Sequence, residues 1–184
     1  MTQTEPADRE YVRLSQAGDR SAYGQLVRRY QDRMYRFILR MVHSHDEALE
    51  LTQEAFIKAW EALPEWRPDA EFRTWLFRIA SNAATDCLRR RKVVEFVALE
   101  EDYDVPGEDP GPEAQLQTKQ SLAALESALA RLPPEQREIV LLREIEDMAY
   151  GEISAALGIN EGTVKSRLAR AREALVSERK RKNI

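Results

Sequence analysis

The sequence predicts an all-α fold of two small helical domains joined by an acidic flexible linker, the C-terminal domain being a helix-turn-helix. Three observations carry that expectation. Apolar residues recur at three- and four-residue steps through most of the chain, the spacing of a buried helix face. The one β-friendly run, "KVVEFVAL" at 92–99, is isolated and has no partner strand. The stretch "EEDYDVPGEDPGPEAQ" at 100–115 sets Pro106, Gly107, Pro110, Gly111 and Pro112 among carboxylates, which breaks helices and extends the chain. The expected division is a domain over 1–93, a linker over 94–114 and a second domain over 115–184.

Each element has its own signals. A short helix over about 8–17 ends at Gly18, which supplies the left-handed C-cap. The next, 20–42, carries Tyr23, Leu26, Val27, Tyr30, Met34, Ile38 and Met41 at helical steps. A third, 45–63, opens with Asp46 and Glu47 at its positive N-terminal end and stops at Pro64. The loop "PEWRPDA" leads to a fourth helix over about 70–91. Beyond the linker a fifth helix runs to Leu132, and "LPPEQREIVLLREIE" begins a sixth with proline in its first turn. "MAYGEISAALG" gives a seventh, capped by Gly158, and 161–178 an eighth.

Composition narrows the function. The net charge of −4 over 184 residues conceals a division. Residues 1–92 carry 16 basic against 14 acidic groups, residues 93–130 carry 1 against 9, and residues 131–184 carry 11 against 9. Two mildly basic ends thus flank an acidic middle, and a basic end suits nucleic acid. No apolar run approaches the ~18 residues of a membrane span, so no membrane insertion is expected. The polar start "MTQTEPADRE" reads as neither signal nor transit peptide, and a cytoplasmic location is expected. Cys87 is the only cysteine, and His43 and His45 lie in a polar turn, so neither a disulfide nor a metal site is expected. No phosphate loop or His-based triad is present; no catalytic residue, cofactor or enzymatic activity is expected.

Two helices carry the candidate nucleic-acid contacts. In "AYGEISAALGINEGTVKSRLARAREAL" a glycine turn joins two helices, with Ile153, Ala156, Leu157 and Ile159 facing Val164, Leu168, Ala171 and Leu175. At ~100° per residue, Ser166, Ala169, Arg170 and Glu173 lie opposite that apolar stripe, flanked by Thr163 and Lys165. Arg and Lys donate to guanine edges, Glu accepts from cytosine, and small Ala169 permits close approach, so this helix suits a major groove. Arg167 and Arg172 fall nearer the buried edge, where they suit phosphate contacts or pairing within the chain. The fourth helix bears a second stripe, Arg78, Asn82, Thr85 and Arg89, ending in Arg89, Arg90, Arg91 and Lys92. Ahead of it Trp66, Arg67, Phe72, Arg73 and Trp75 mix rings with bases, as single-strand binding requires. Phe72 and Trp75 suit a core better, which leaves Trp66 as the stacker. On the third helix Glu47, Glu50, Glu54 and Glu61 share a face with Lys58, either a solvated surface or one for protein docking.

The stretches "LTQEAFIKAWEAL" (51–63), "FRTWLFRIASNAATDCLRRRK" (72–92) and "LPPEQREIVLLREIEDMAYGEISAALGINEGTVKSRLARAREAL" (132–175) resemble the extracytoplasmic-function (group 4) sigma factors of the sigma-70 superfamily. The resemblance implies an initiation factor whose partners are bacterial core RNA polymerase, promoter DNA and an anti-sigma factor. It implies polymerase docking through Gln53, Glu54 and Phe56, with Glu50 on the same acidic face. It assigns the −10 element to Trp66, Arg73, Arg78, Asn82, Thr85, Arg89 and Arg90. Lys165, Ser166 and Arg170 match positions that contact the −35 element, joining Thr163, Ala169 and Glu173 on the same face. Many relatives have proline where Asn160 stands; Asn160 can cap the reading helix instead. A dimeric helix-turn-helix regulator is the alternative, against which the second stripe on the fourth helix speaks.

Overall fold

The computed structural model describes residues 6–95 and 124–182. Helices α1 (Pro6–Gln16), α2 (Arg20–Val42), α3 (His45–Ala62) and α4 (Phe72–Glu95) make the first domain. The second holds α5 over 124–130, α6 (Pro134–Val140), a π-helical turn (Leu141–Ile145), α7 (Tyr150–Leu157) and α8 (Glu161–Lys182). No strand occurs among the described residues.

Capping explains where the helices begin. The Asp19 carboxylate accepts from the backbone N–H groups of Ser21 (2.8 Å) and Ala22 (3.1 Å), satisfying donors that α2 leaves unpaired. Ser44 caps α3 in the same way, and His43 ends α2 in the left-handed region at φ 56°. The third helix, expected to reach 63, ends at Ala62, where Pro64 tightens Leu63–Glu65 into a 3₁₀ turn. The fourth was expected to stop near 91 and instead continues to Glu95, because neither glycine nor proline interrupts "KVVE". The β-friendly run is thus helical as far as 95. The rest of the expected linker lies outside the described residues.

In the first domain α2 packs on α1, α3 and α4 around Leu26, Met34, Ile38, Met41, Leu63, Leu76 and Phe77, none of them more than 0% exposed. Each such side chain contributes about 1.5–3 kcal/mol by leaving water. Asp8, buried at 2% exposure, takes hydrogen bonds from the Tyr30 hydroxyl (2.6 Å) and Arg29 (2.5 Å) and so secures α1. The second domain closes on Ile139, Leu142, Met148, Ile153, Val164 and Ala171.

The two domains pack on each other, α4 against α7 and α2 against α6, and their apolar cores are continuous. Arg137 is the centre of this contact. It is 5% exposed, and its guanidinium donates to the carbonyls of Leu129 (3.0 Å), Ala130 (2.8 Å) and Leu132 (3.0 Å). It reaches across to the Met41 carbonyl at 2.6 Å, near the negative C-terminal end of α2. Burial lowers its pKa, and the ring of carbonyls compensates the charge.

Candidate nucleic-acid interface

The helix-turn-helix is built by α7 and α8. Gly158 turns the chain at φ 65°, where a side chain would be strained, and the Ser154 hydroxyl donates to the Ile159 carbonyl at 2.5 Å. Asn160 caps α8, its side-chain oxygen accepting from the Thr163 N–H at 2.8 Å. Val164, Leu168 and Ala171 are at most 1% exposed, and this pins the opposite face toward solvent. Lys165, Ser166, Ala169, Arg170 and Glu173 are exposed there, with Thr163 half-buried at the edge. Lys165 lies 3.7 Å from Glu161 and 5.8 Å from the Tyr150 ring centroid, solvent-exposed contacts that cost little to exchange for a nucleic-acid group. Arg172 is paired with Glu144 at 2.6 Å, and Arg167 lies close enough to Glu138 to favour its charged form.

The second surface runs along α4 and the loop before it. Arg78, Asn82, Thr85, Arg89 and Arg90 are exposed, and Arg89 also pairs with Asp86 at 2.9 Å. Trp66 is half-buried, 6.1 Å from the Phe72 ring and 5.8 Å from the Trp75 ring, so the loop carries an aromatic platform. Phe72, at 2% exposure, belongs to the core, and Trp75 is half-buried beside it. A groove of about 340 Å³ opens over Trp66, Arg67 and Arg78, and its far wall is Ala155 and Ala156 of α7.

Two of the expected contacts on this surface face the second domain. Arg73 is 8% exposed and donates to the Glu146 carbonyl and to Glu152, both at 3.1 Å. The buried Ser81 hydroxyl donates to the carboxyl of Glu138, and Thr85 lies near enough to the same carboxyl to favour its charged form. Burial raises the pKa of Glu138, opposed mainly by Ser81, and raises that of Glu146, opposed mainly by Arg33 at 2.7 Å.

The third surface is α3. Glu50, Gln53 and Glu54 are exposed, and Phe56 is 8% exposed with its carbonyl accepting from the Tyr23 hydroxyl at 2.5 Å. Glu47 is drawn out of the acidic face by Arg91. Sequence reasoning missed the apolar part of this surface. Leu49 (55% exposed) and Ile57 (58% exposed) lie four residues either side of Gln53, and Ile57 borders a groove of about 310 Å³ with Tyr23, Phe56 and Trp60. The signal was available: two large apolar residues on an otherwise charged face answer to no core. Two further residues were missed, Gln16, which bonds the Trp66 loop, and Glu152, whose second oxygen caps α7 at the Ala149 N–H (2.7 Å). Neither shows in a periodicity, because Gln16 at the loop and Glu152 at Arg73 meet partners distant in sequence.

Among the described residues, no group of three or more His, Cys, Asp or Glu could hold a metal ion, and no helix is long and apolar enough to cross a membrane. Residues 26–93 match the family model for sigma-70 region 2, and residues 122–175 match that for sigma-70 region 4. The ECF RNA polymerase sigma factor SigE of Mycolicibacterium smegmatis is 43% identical over 162 residues, covering 86% of this chain and 63% of that relative's length. The RNA polymerase sigma-H factor of Pseudomonas aeruginosa is 36% identical over 180 residues, 94% of this chain and 93% of that one. The structure of the sigma factor RpoE with the anti-sigma factor NepR from Bartonella quintana superposes with a TM-score of 0.70 at 25% identity, over 86% of this chain and 96% of that one.

Proposed function

The chain belongs to the extracytoplasmic-function RNA polymerase sigma factors of the sigma-70 family, and we propose from this premise how its surfaces divide the work of promoter selection. The first domain docks on core polymerase through α3, with Glu50, Gln53 and Glu54 supplying charge and hydrogen bonds beside the buried Phe56. Exposed Leu49 and Ile57 add apolar area to the same contact. Trp66 stacks an unpaired base of the −10 element, while Arg73, Arg78, Asn82, Thr85, Arg89 and Arg90 hold its strand. In the second domain α8 enters the major groove at the −35 element with Thr163, Lys165, Ser166, Ala169, Arg170 and Glu173.

One observation carries this reading: a single chain presents two separate exposed basic stripes, one on a helix-turn-helix and one beside an aromatic loop. A conventional regulator needs only the first. The protein acts in the cytoplasm, takes no cofactor and catalyses nothing; its contribution is to place polymerase. An anti-sigma factor, such as the one bound to RpoE, is the proposed inhibitor. The weak net positive charge of each end, with an acidic middle, makes the free protein a poor DNA binder, so polymerase supplies most of the affinity.

Replacing Arg170 with alanine tests the division. Transcription by the reconstituted holoenzyme is expected to lose discrimination at one position of the upstream element by about 1–3 kcal/mol, with core binding unchanged. Loss of core binding with selectivity intact would overturn the assignment of α8.

A further inference from the structure

Trp66 stands on a loop with little to hold its backbone. The 3₁₀ turn Leu63–Glu65 closes with the Trp66 N–H donating to the Leu63 carbonyl at 3.1 Å. Beyond it Arg67, Pro68 and Asp69 are exposed, and the loop's own backbone adds one bond, from the Asp69 N–H to the Arg67 carbonyl at 2.8 Å. The Trp66 ring rests on Phe72 and Trp75, with centroids 6.1 and 5.8 Å away. Apolar contact of that kind is non-directional and fixes neither the height nor the tilt of the ring.

Gln16, the last residue of α1, supplies the missing direction. Its side-chain N–H₂ donates to the Leu63 carbonyl at 3.1 Å and to the Trp66 carbonyl at 2.9 Å, so one amide spans the turn from end to end. Both partners are carbonyls, which sets the amide nitrogen toward the loop. Among the described residues, these are the only hydrogen bonds that reach the backbone of 63–71 from an element distant in sequence. The base they spring from is firm. Val12 of α1 is 4% exposed, and the buried Asp8 accepts from Tyr30 and Arg29 of α2. Gln16 is half-buried, so water can replace its bonds and their net contribution to stability is small. Their effect lies in where they hold Trp66.

We propose that Gln16 is a positioning residue for promoter opening, its two hydrogen bonds fixing the Trp66 backbone so that the ring is set before a base arrives. The proposal rests on the reading of Trp66 as the stacking residue. A ring held in place beforehand binds without the cost of ordering its loop, whereas a loop free to shift loses affinity to that cost. Two consequences separate this role from packing. Position 16 needs a hydrogen-bond donor rather than a particular shape, and its effect passes through Trp66.

The test uses holoenzyme reconstituted from the full chain and core polymerase, with open-complex lifetime measured on one duplex promoter. Gln16→Met keeps an unbranched side chain and removes the donor, while Gln16→Lys restores a donor on an unbranched stem. Trp66→Ala and the double variant Gln16→Met with Trp66→Ala complete the set. Gln16→Met is expected to shorten the lifetime about tenfold, with core co-elution as in wild type. Gln16→Lys is expected to recover most of that loss. In the Trp66→Ala background, Gln16→Met is expected to change the lifetime by less than about twofold. A wild-type lifetime for Gln16→Met, no recovery with Gln16→Lys, or an equal loss with and without Trp66 would overturn the role of Gln16 and leave the sigma-factor reading intact. Loss of core co-elution by Gln16→Met would mark a folding residue and overturn it too. A wild-type lifetime for Trp66→Ala would instead overturn the stacking role of Trp66, and the proposal with it.

Discussion

His43 shows how a single residue senses its surroundings. It closes α2 at φ 56°; although its side chain keeps an exposed edge, partial desolvation together with the charges of Arg137 and Arg91 pushes its pKa down to about 4. The unfolded chain binds that proton near the ordinary value of about 6.5. Stability from a neutral His43 is therefore complete above pH 6.5 and is lost as pH falls toward 4. His43→Asn retains a residue that tolerates the left-handed region and removes the titration. Denaturant midpoints at pH 7 and pH 4.5 are expected to differ less in the variant than in wild type; an equal difference would contradict this role for His43. Arg137 is the other decisive residue. Replacing it with methionine keeps much of the apolar stem and strands four carbonyls, for which a loss of about 3 kcal/mol is expected by equilibrium unfolding. A change under 0.5 kcal/mol would mean that water replaces those bonds. The exposed face of α8 was legible because Val164, Leu168 and Ala171, which bury the opposite face, lie within the same helix. Arg137, Glu138 and Arg73 were not legible. Each looks like a surface charge in its own helix; Arg73 and Glu138 are met from the other domain, and Arg137 is enclosed by the carbonyls of Leu129, Ala130 and Leu132 together with that of Met41.

Among the elements, local signals proved sufficient where a cap or breaker sits at the boundary. Gly18 and Gly158 mark stops that hold in the structure, and the starts expected at 20 and 45 are where Asp19 and Ser44 cap α2 and α3. The π turn at Leu141–Ile145 has no such marker. In it the Glu146 N–H bonds the Leu141 carbonyl at 3.0 Å, a five-residue step. The widened turn delivers Glu146 to the interior at 3% exposure while Ile145 remains 44% exposed, the reverse of what residue chemistry suggests. Arg33 explains the reversal, since it meets Glu146 from the first domain. The turn between α7 and α8 belongs to this scale as well. Gly158→Ala places a side chain at φ 65° with open space around it, so backbone strain alone acts. A loss of about 1 kcal/mol is expected, read as a lower thermal midpoint with the helical content unchanged. A loss of several kcal/mol would point to packing that the turn does not show.

For the whole molecule, the notable feature is that domains readable as separate along the sequence share a contact. A hydrophobic pattern shows which face of a helix is buried, never against which distant helix, so this docking was beyond sequence reasoning. Its consequence follows from position. The contact engages Arg73, Ser81 and Thr85 on the side of α4 proposed for nucleic acid, and α7 walls the groove over Trp66 and Arg78. A strand running along that stripe would reach Arg73 only after the domains part. Core polymerase, as the proposed partner of both domains, must outweigh a contact made of two buried arginines, four interdomain carboxylates and a shared apolar seam. The central claim is that this chain exists to do so. The most direct measurement is to mix the purified protein with bacterial core RNA polymerase and follow co-elution on a sizing column. A one-to-one complex is predicted. No complex, together with a dimer that shifts palindromic DNA unaided, would contradict the account.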